Sequence, residues 1–378
     1  MRCAGATPGG LESRAVLAVK VVFWAALGAL AWTHVVYALV AAVGARLRPR
    51  RVRKGEGLPR VAVIIPAYNE ETVIERRVEN LLALDYPRDR LDVVVSSDAS
   101  SDRTPDLAEA AGAHVLRNPR GGKVAAQNRA VAQTDADIVA FSDANSTWAP
   151  DALRKLVRNF ADPDVAYVCG RHVYETPEGD NKEGAYWRYE LMLRDAESKL
   201  HSITGGNGSI YAVRRTDYVE VDPRFGHDLA FPYLMVQRGK RAVYDPEALA
   251  FEKATPTNET EYRRKVRMFE HCWLITLKGR MLRRLGPLYW IEVISHRHLR
   301  YASGILHLVA LGTNVALVGQ GVLYQVLLGC QLGLLAAALV GVGIARYYVL
   351  VTWATVVSLV NYLRRGVPAT WEAAEGTR

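Results

Sequence analysis

The chain has only four cysteines, and they lie far apart in the sequence. Cys3, Cys169, Cys272 and Cys330 form no CxxC pair, which argues against a disulfide framework and against a zinc site. The first β-branched run lacks a following GxGxxG, which counts against a dinucleotide cofactor. No zinc-finger or RNA-binding signature accompanies the net charge of +9, so nucleic acid is not expected as a partner.

Charged residues are also missing from three long stretches, 21–45, 301–345 and 347–363. A bilayer span needs about 20 mostly apolar residues, so the first stretch fits one span and the second fits two, while the third is marginal alone. The first stretch is too long for the apolar part of a signal peptide. We therefore predict a tail over 1–20, a transmembrane helix over 21–45, two to three transmembrane helices over 301–363, and a tail over 364–378.

Basic residues cluster beside these apolar runs, where the cytoplasmic side retains them and anionic lipids attract them. They are Arg46, Arg48, Arg50, Arg51, Arg53, Lys54, Arg280, Arg283, Arg284, Arg297 and Arg300. We predict a multi-pass protein of the plasma (inner) membrane that contacts membrane lipids, with a basic linker over 46–59 and a cytoplasmic domain after it. Arg364 and Arg365 favour the cytoplasm too, although three later spans would place the C-terminus outside. The number of crossings stays open.

Residues 281–300 mix aromatic, apolar and basic side chains, which is typical of a helix that lies in the membrane interface. The alternative is a linker helix that packs on the cytoplasmic domain. Between the linker and this segment, the sequence alternates between short β-branched runs and helical spacing. Strands are predicted at 61–65, 91–95, 114–116 and 138–141, and Asn69 is expected to cap the first helix. This pattern predicts an α/β domain over 60–280 with a mainly parallel sheet.

Polar side chains gather directly after three of the predicted strands. The first strand ends in PAYNE, the second in SSDASSD and the fourth in SDAN. A single Asp at such a position is often only a helix cap. Three strand ends that converge at one edge are harder to explain that way, because ligands of parallel sheets bind beyond the carboxyl ends of the strands. We predict a ligand site there.

The ordered segments VAVIIPAYNEE, SSDASSDRT, GGKVAAQNRAV and FSDANS resemble the family 2 glycosyltransferases, which have the Rossmann-like GT-A fold. Later segments resemble the family in the same order: GGNGSIYAVRR (205–215), FGHDLAF (225–231), RRKVRM (263–268) and SHRHLRY (295–301). The resemblance covers about residues 58–301. It implies an inverting hexosyltransferase that moves a sugar from a nucleotide-sugar donor, with a UDP-sugar suggested by resemblance only.

The resemblance also implies an acceptor and a setting. The acceptor would be a glycan or a lipid-linked molecule, and the product part of a cell-envelope glycan or exopolysaccharide. A processive polysaccharide synthase, related to the hyaluronan, cellulose and chitin synthases, is the alternative within this class. A non-catalytic subunit of a glycan-assembly complex is the alternative from another class, and a nucleotidyltransferase on a similar sheet is a third.

Site roles follow from the same resemblance. Asp98 would hold the nucleotide, and Asp143 would bind Mg²⁺ or Mn²⁺, which prefer oxygen ligands and often combine one or two carboxylates with phosphate. Asp228 would be the general base. The remaining nucleotide-sugar residues would be Pro66, Tyr68, Glu70, Lys123 and Asn145. The acceptor would contact Gly205, Gly206, Asn207, Gly208, Arg264 and Arg267.

The sequence departs from the family pattern at two places. The metal motif, usually DxD, is DAN here, so Asn145 either ligates the cation weakly or contacts the donor sugar. RRKVRM replaces QxxRW, with Met268 in place of the stacking Trp, which disfavours processive extension. Trp273 either substitutes for that Trp or packs in the core. His227 either tunes the pKa of Asp228 or is a surface histidine.

Overall fold

The computed structural model describes residues 8–175, 182–253 and 258–368. Its centre is a sheet of eight strands in the order β3-β2-β1-β4-β7-β6-β8-β5. The strands are β1 (Val61–Ala67), β2 (Leu91–Asp98), β3 (His114–Asn118), β4 (Ile138–Phe141), β5 (Thr147–Trp148), β6 (Val165–Glu175), β7 (Tyr211–Arg214) and β8 (Arg241–Lys253).

The first four strands run parallel to one another, as the alternation of strand and helix predicts. β1 lies between β2 and β4, and its residues 61–65 are all buried because helices cover both faces of the sheet. The antiparallel strand β7 then joins β4 to the second half of the sheet, where β6 and β8 pair in parallel. The carboxyl ends of β1, β2 and β4 therefore meet at one edge.

The helices connect these strands and flank the sheet in the chain. They are α1 (Pro8–Ala31), α2 (Tyr37–Leu47), α3 (Ile74–Leu82), α4 (Thr104–Ala110), α5 (Lys123–Ala132), α6 (Ala152–Val157), α7 (Lys182–Leu200), α8 (His227–Gln237), α9 (Asn258–Lys278), α10 (Pro287–Val293), α11 (Leu299–Tyr301), α12 (Ser303–Leu317), α13 (Val322–Leu339) and α14 (Gly343–Arg365). Short π-helical turns at Trp32–Val36 and Ile294–His298 join α1 to α2 and α10 to α11.

Within the described residues, four helical stretches are long and apolar enough to cross a membrane: Arg14–Leu47, Ser303–Gln320, Val322–Leu339 and Gly343–Arg365. The first is longer than the uncharged run 21–45, because the helix continues into charged residues at both ends. Trp32 and Thr33 in the π-helical turn of the first stretch both bond to Ser295 of the second π-helical turn. These bonds tie the N-terminal candidate membrane helix to the segment 287–301.

The expectation that Asn69 caps the first helix is wrong. Asn69 has a left-handed backbone with φ 54°, and α3 begins only at Ile74. The Asn69 side chain instead accepts a hydrogen bond from the backbone N–H of Ser101, at 2.9 Å. A residue with a left-handed backbone turns the chain sharply after the strand. Among residues other than glycine, Asn and Asp adopt this conformation most readily. Asn69 therefore joins the loops that follow β1 and β2.

Candidate active site

The end of β2 carries a carboxylate that is held by the loop after β3. The Asp98 side chain is 2% exposed. Its two oxygens accept hydrogen bonds from the backbone N–H groups of Gly121, at 2.7 Å, and Gly122, at 2.8 Å, and from Arg120 at 2.8 Å. Gly122 has φ 89°, a conformation that favours glycine. Gly121 and Gly122 thus hold the Asp98 carboxylate through their backbone N–H groups, and α5 begins directly after them at Lys123.

The end of β1 adds an aromatic surface to this edge. The guanidinium of Arg120 lies 3.3 Å from the centre of the Tyr68 ring, a close cation–π contact. Pro66 is half-buried in β1, and Glu70 is buried, with its backbone N–H donating to Thr104 Oγ1 at 2.7 Å. The structure therefore brings four of the residues predicted to bind the nucleotide to one edge, and it adds Arg120.

Asp143, after β4, lies against Lys123 in a salt bridge. Burial lowers the pKa of Lys123, but the neighbouring Asp143 outweighs it, and the net pKa is raised. Gly208 packs on this pair, because a Cβ there would lie 3.1 Å from Lys123 Nζ and 3.2 Å from Asp143 Oδ2. Asn145, half-buried, follows two residues later.

Two further residues, which the sequence patterns did not indicate, lie near Asp143. Glu252 of β8 is half-buried, and partial burial together with the charge of Asp143 raises its pKa to about 8. His172 of β6 bonds through Nδ1 to Ser209 Oγ at 2.9 Å, and its Nε2 lies 3.7 Å from Glu252. Only the pairing of β6 with β8 brings these residues together.

The donor set at Asp143 fits a divalent cation that takes most of its ligands from phosphate and water. No group of three His, Cys, Asp or Glu side chains with metal-ligand geometry occurs in the described part of the chain. Mg²⁺ commonly uses only one or two protein carboxylates with substrate phosphates. Asp143 supplies one carboxylate, and Oε1 of Glu252 is buried with no hydrogen-bond partner among the described residues. This buried oxygen of Glu252 could therefore bind a cation together with Asp143.

Asp228 lies in the first turn of α8, where the helix dipole favours a carboxylate. Its backbone oxygen accepts a hydrogen bond from the N–H of Gly206 at 2.7 Å. This bond fastens α8 to the glycine loop 205–208. Asn207 does not point its side chain outward: it bonds to Gly170 O, Ser209 and Ile210 and shapes the loop from inside.

His227 is 4% exposed, so its interpretation as a surface histidine is wrong. Its Nδ1 lies 2.9 Å from the Tyr211 hydroxyl, and its ring packs edge-on against Phe141 and Phe231. Burial, with a smaller effect of Lys123, lowers the pKa of His227 to about 3. The ring is therefore neutral near pH 7 and adds no positive charge beside Asp228.

The segment 263–268 on α9 contributes only part of its basic side chains to the site. Arg264 and Met268 line a cavity beside Asp228, whereas Arg263 is exposed and paired with Glu259. Arg267 is not among the residues that line this cavity. Trp273 is buried and donates to Thr355 O of α14 at 2.8 Å, so it packs α9 against α14.

The cavity has a volume of about 530 Å³ and reaches from the sheet edge to the candidate membrane helices. One end contains Asp143, the glycine loop 205–208 and Asp228. The other end contains residues of the candidate membrane spans, among them His34 and Tyr348. The lining also includes Arg297 and Arg300 of the segment 295–301, and six side chains that belong to no motif: Tyr174, Tyr186, Trp187, Tyr189, Glu190 and Arg194. Sequence spacing gave no signal for these six.

Residues 62–221 match the model of glycosyl transferase family 2. A β-monoglucosyldiacylglycerol synthase of Synechocystis sp. is 40% identical over 164 residues, which cover 40% of this chain and 33% of that protein. An N-acetylglucosaminyltransferase of Rhizobium meliloti is 27% identical over 290 residues, which cover 68% of this chain and 67% of that protein. The chain thus spans a third of the first relative and two thirds of the second.

Among solved structures, a mannosyltransferase from Pyrobaculum calidifontis, in complex with GDP-Man and Mn²⁺, is similar to this chain with a TM-score of 0.74. The similarity covers 92% of this chain and 99% of that one, at 23% sequence identity. At this identity the likeness shows the fold, and the fold includes the helices that flank the sheet. The chain therefore carries a family 2 glycosyltransferase domain of the GT-A fold, with candidate membrane helices on both sides of it.

Proposed function

We propose that the protein is an inverting glycosyltransferase that moves a sugar from a nucleotide-sugar donor, a UDP-sugar, to an acceptor delivered by the membrane. The acceptor is lipid-linked, and the product belongs to a cell-envelope or exported glycan. The observation that carries this proposal is the cavity: it joins the acidic groups Asp143 and Asp228 to the candidate membrane helices. A water-soluble acceptor would not need a site that extends among membrane spans.

The donor would lie along the edge formed by the ends of β1, β2 and β4. Tyr68 and Arg120 form a flat surface suited to a nucleotide base, and Asp98 lies beside it. Lys123 starts α5 and carries a positive charge suited to a diphosphate. This places the sugar near Gly208, where the absence of a side chain leaves room beside Lys123 and Asp143.

The chemical step needs a proton acceptor on the acceptor side of the sugar. Asp228 lines the cavity there, and its position is fixed by the bond between its backbone oxygen and Gly206. It would take the proton of the acceptor hydroxyl as that oxygen attacks the anomeric carbon. The bond from the anomeric carbon to the diphosphate breaks as the new bond forms, and the configuration inverts.

Asp143 would hold Mg²⁺ or Mn²⁺ together with the donor diphosphate. When bound, such an ion neutralises negative charge on the leaving group. The protein's own contribution at this corner is Lys123, which balances Asp143 in the absence of the ion. Asn145, which is uncharged, would contact the cation or the sugar.

The name of one relative, β-monoglucosyldiacylglycerol synthase, denotes a product with one sugar, although it describes that protein. For this chain, single transfer is supported by the position of Trp273, which packs against α14 and does not line the cavity. The catalytic domain would lie on the cytoplasmic face, where the basic residues beside the spans are retained.

The test is a donor screen with full-length protein in a neutral detergent. A panel of nucleotide sugars is supplied with a bacterial lipid extract as acceptor, and nucleoside diphosphate release and lipid-linked product are measured. We expect one donor to support lipid-dependent release, with one sugar added per acceptor. Long polymer from a single donor would instead identify a processive synthase, and no release with any donor would favour a non-catalytic subunit.

A further inference from the structure

Two arginines that line the cavity, Arg194 and Arg297, form no salt bridge with a carboxylate of the described residues. Arg194 of α7 lines the cavity and is 7% exposed. It forms no salt bridge with any residue of the described ranges. Its Nη2 donates to Gly206 O at 3.2 Å, while its Nη1 is buried with no hydrogen-bond partner among those residues. Burial of a cation without a counter-charge costs free energy, so we expect an anion to bind beside Arg194.

Arg241 shows how this protein satisfies a buried arginine that has a purely structural role. It is 2% exposed and donates to three backbone oxygens, those of His201, Ser198 and Arg50, at 3.0–3.1 Å. It does not line the cavity. Arg194 has one such bond instead of three, although it is buried to a similar degree. The difference separates Arg194 from an arginine that only holds the fold together.

Arg297 provides a second cation at the same place. Its Nε donates to Thr204 Oγ1 at 2.9 Å, and a Cβ on Gly205 would lie 2.5 Å from its Nη2. Burial lowers the pKa of Arg297, but Tyr301 and Glu197 raise it, and the net pKa is raised. Glu197 already accepts hydrogen bonds from four groups: the Tyr37 hydroxyl, His296, and the backbone N–H and hydroxyl of Thr204. These four groups do not include Arg297, which forms no salt bridge with Glu197, although the charge of Glu197 helps to raise the pKa of Arg297.

Two acidic groups of the cavity are paired with cations. Asp143 pairs with Lys123, and Glu190 pairs with Arg300. The other cations at the rim, Arg264 and Lys265, pair with Glu261. Asp228 also lines the cavity but forms no salt bridge with Arg194 or Arg297, so both guanidinium groups can contact an anion.

The glycine loop 205–208 sets the distance between this positive centre and the reaction centre. Arg194 bonds to the oxygen of Gly206, and the N–H of the same residue bonds to the oxygen of Asp228. Gly206 thus links the Arg194 side chain to the backbone of Asp228, and an anion at Arg194 and Arg297 lies in the same cavity as the base. A phosphate is already ionised at neutral pH and needs no base, and the Asp228 carboxylate would repel it as a nucleophile. The nucleophile is a hydroxyl, and the anion is another part of the same molecule.

We infer that the acceptor is an amphiphile in which a saccharide is joined to a lipid chain through phosphate. The saccharide hydroxyl lies at Asp228, the phosphate between Arg194 and Arg297, and the chain runs past His34 and Tyr348 among the membrane helices. Aromatic side chains line the saccharide portion, with Trp187 in cation–π contact with Arg194 at 6.0 Å. This inference rests on the proposed function and names its acceptor class: phosphate-linked glycolipids, in contrast to neutral ones.

The first test measures binding without any donor, so that it does not depend on sugar transfer. Dodecyl phosphate, dodecanol and inorganic phosphate are titrated calorimetrically into the full-length protein in a polyoxyethylene detergent. We expect dodecyl phosphate to bind at least tenfold more tightly than either of the others. Equal binding of dodecanol would overturn the anionic site, and equal binding of inorganic phosphate would overturn the amphiphile.

Variants assign the binding to the two arginines. Arg194→Gln should lower the affinity for dodecyl phosphate about tenfold, the scale of one charge-assisted contact, and Arg194→Lys should keep most of it. Arg238→Gln, at an exposed arginine after α8, is the matched control and should change nothing. Unchanged binding in Arg194→Gln would contradict the inference, and Arg297→Gln replaces it should that variant not fold. Sugar transfer to a phosphate-linked glycolipid but not to an alkyl glycoside of the same sugar is the corresponding result with donor.

Discussion

The two halves of the proposed site differ in how their charged side chains are paired. The donor half, formed by Pro66, Tyr68, Asp98, Lys123 and Asp143, pairs its acids within the protein. The acceptor half, formed by Arg194, the loop 205–208, Asp228 and Arg297, leaves cations without a carboxylate partner in the described chain. The donor half is therefore preorganised by its own loops, whereas the acceptor half is completed by what binds there.

The largest expected effect lies in the acceptor half. Asp228→Asn removes the proton acceptor while it keeps the size of the side chain, so kcat should fall by roughly 10²–10⁴-fold. Binding of the nucleoside diphosphate should change little, because the donor half is untouched. Steady-state kinetics and calorimetry measure the two quantities. Asp222→Asn, at a half-exposed carboxylate paired with Arg224, is the control, and full turnover by Asp228→Asn would remove Asp228 as the base.

The next effect concerns the cation that joins the two halves. EDTA should stop turnover, and Mg²⁺ or Mn²⁺ should restore it, with a loss on the order of 10²-fold for Asp143→Ala at saturating metal. Asn145→Asp restores a second carboxylate and should lower the metal concentration needed for half-maximal rate. Turnover that is unchanged by EDTA would contradict a metal role for Asp143.

A smaller effect is expected from the nucleotide pocket. Asp98→Asn weakens three charge-assisted hydrogen bonds that fold the loop 120–122 over the pocket, so the donor KM should rise on the order of tenfold. The kcat should change less, because Asp98 lies away from the acceptor. Asp92→Asn on the same strand is exposed and should leave the donor KM unchanged. A changed kcat with an unchanged KM in Asp98→Asn would mean that the halves are not separate.

The two halves also differ in how far the sequence could predict them. The strands β1 to β4 and their polar ends follow from short local patterns, and parallel strands bring those ends to one edge. Glu252 and His172 come together only through the pairing of β6 with β8, whose register includes two irregularities. Arg194 lies on a helix without a motif, and its role depends on which carboxylates fail to reach it. No local pattern contains that information.

The failed expectations have equally local causes. Asn69 looked like a helix cap because Glu70 and Glu71 follow it, but the chain turns through a left-handed residue there before α3 begins. Trp273 has the right residue type for sugar stacking, yet its indole N–H is used by α14. Residue type and spacing cannot predict which hydrogen-bond partner a side chain has when that partner lies 82 residues away in the sequence.

The smallest effect tests the packing beneath the acceptor half. His227 has a pKa of about 3 in the folded protein, against 6.5 in the unfolded chain. Between these values the unfolded state binds the proton and the folded state does not, so stability is lost as pH falls through 6.5 towards 3. Between pH 7 and pH 5 this amounts to at most about 2 kcal/mol.

His227→Asn keeps a polar partner for the Tyr211 hydroxyl but has no ring to protonate. The fall in Tm of the full-length protein in neutral detergent from pH 7 to pH 5 should therefore be smaller in this variant than in the wild type. His114→Asn, at an exposed histidine on β3, should show the wild-type slope. Equal slopes in all three proteins would mean that His227 takes up its proton in the folded state, and a charged ring would then lie beside Asp228 after all.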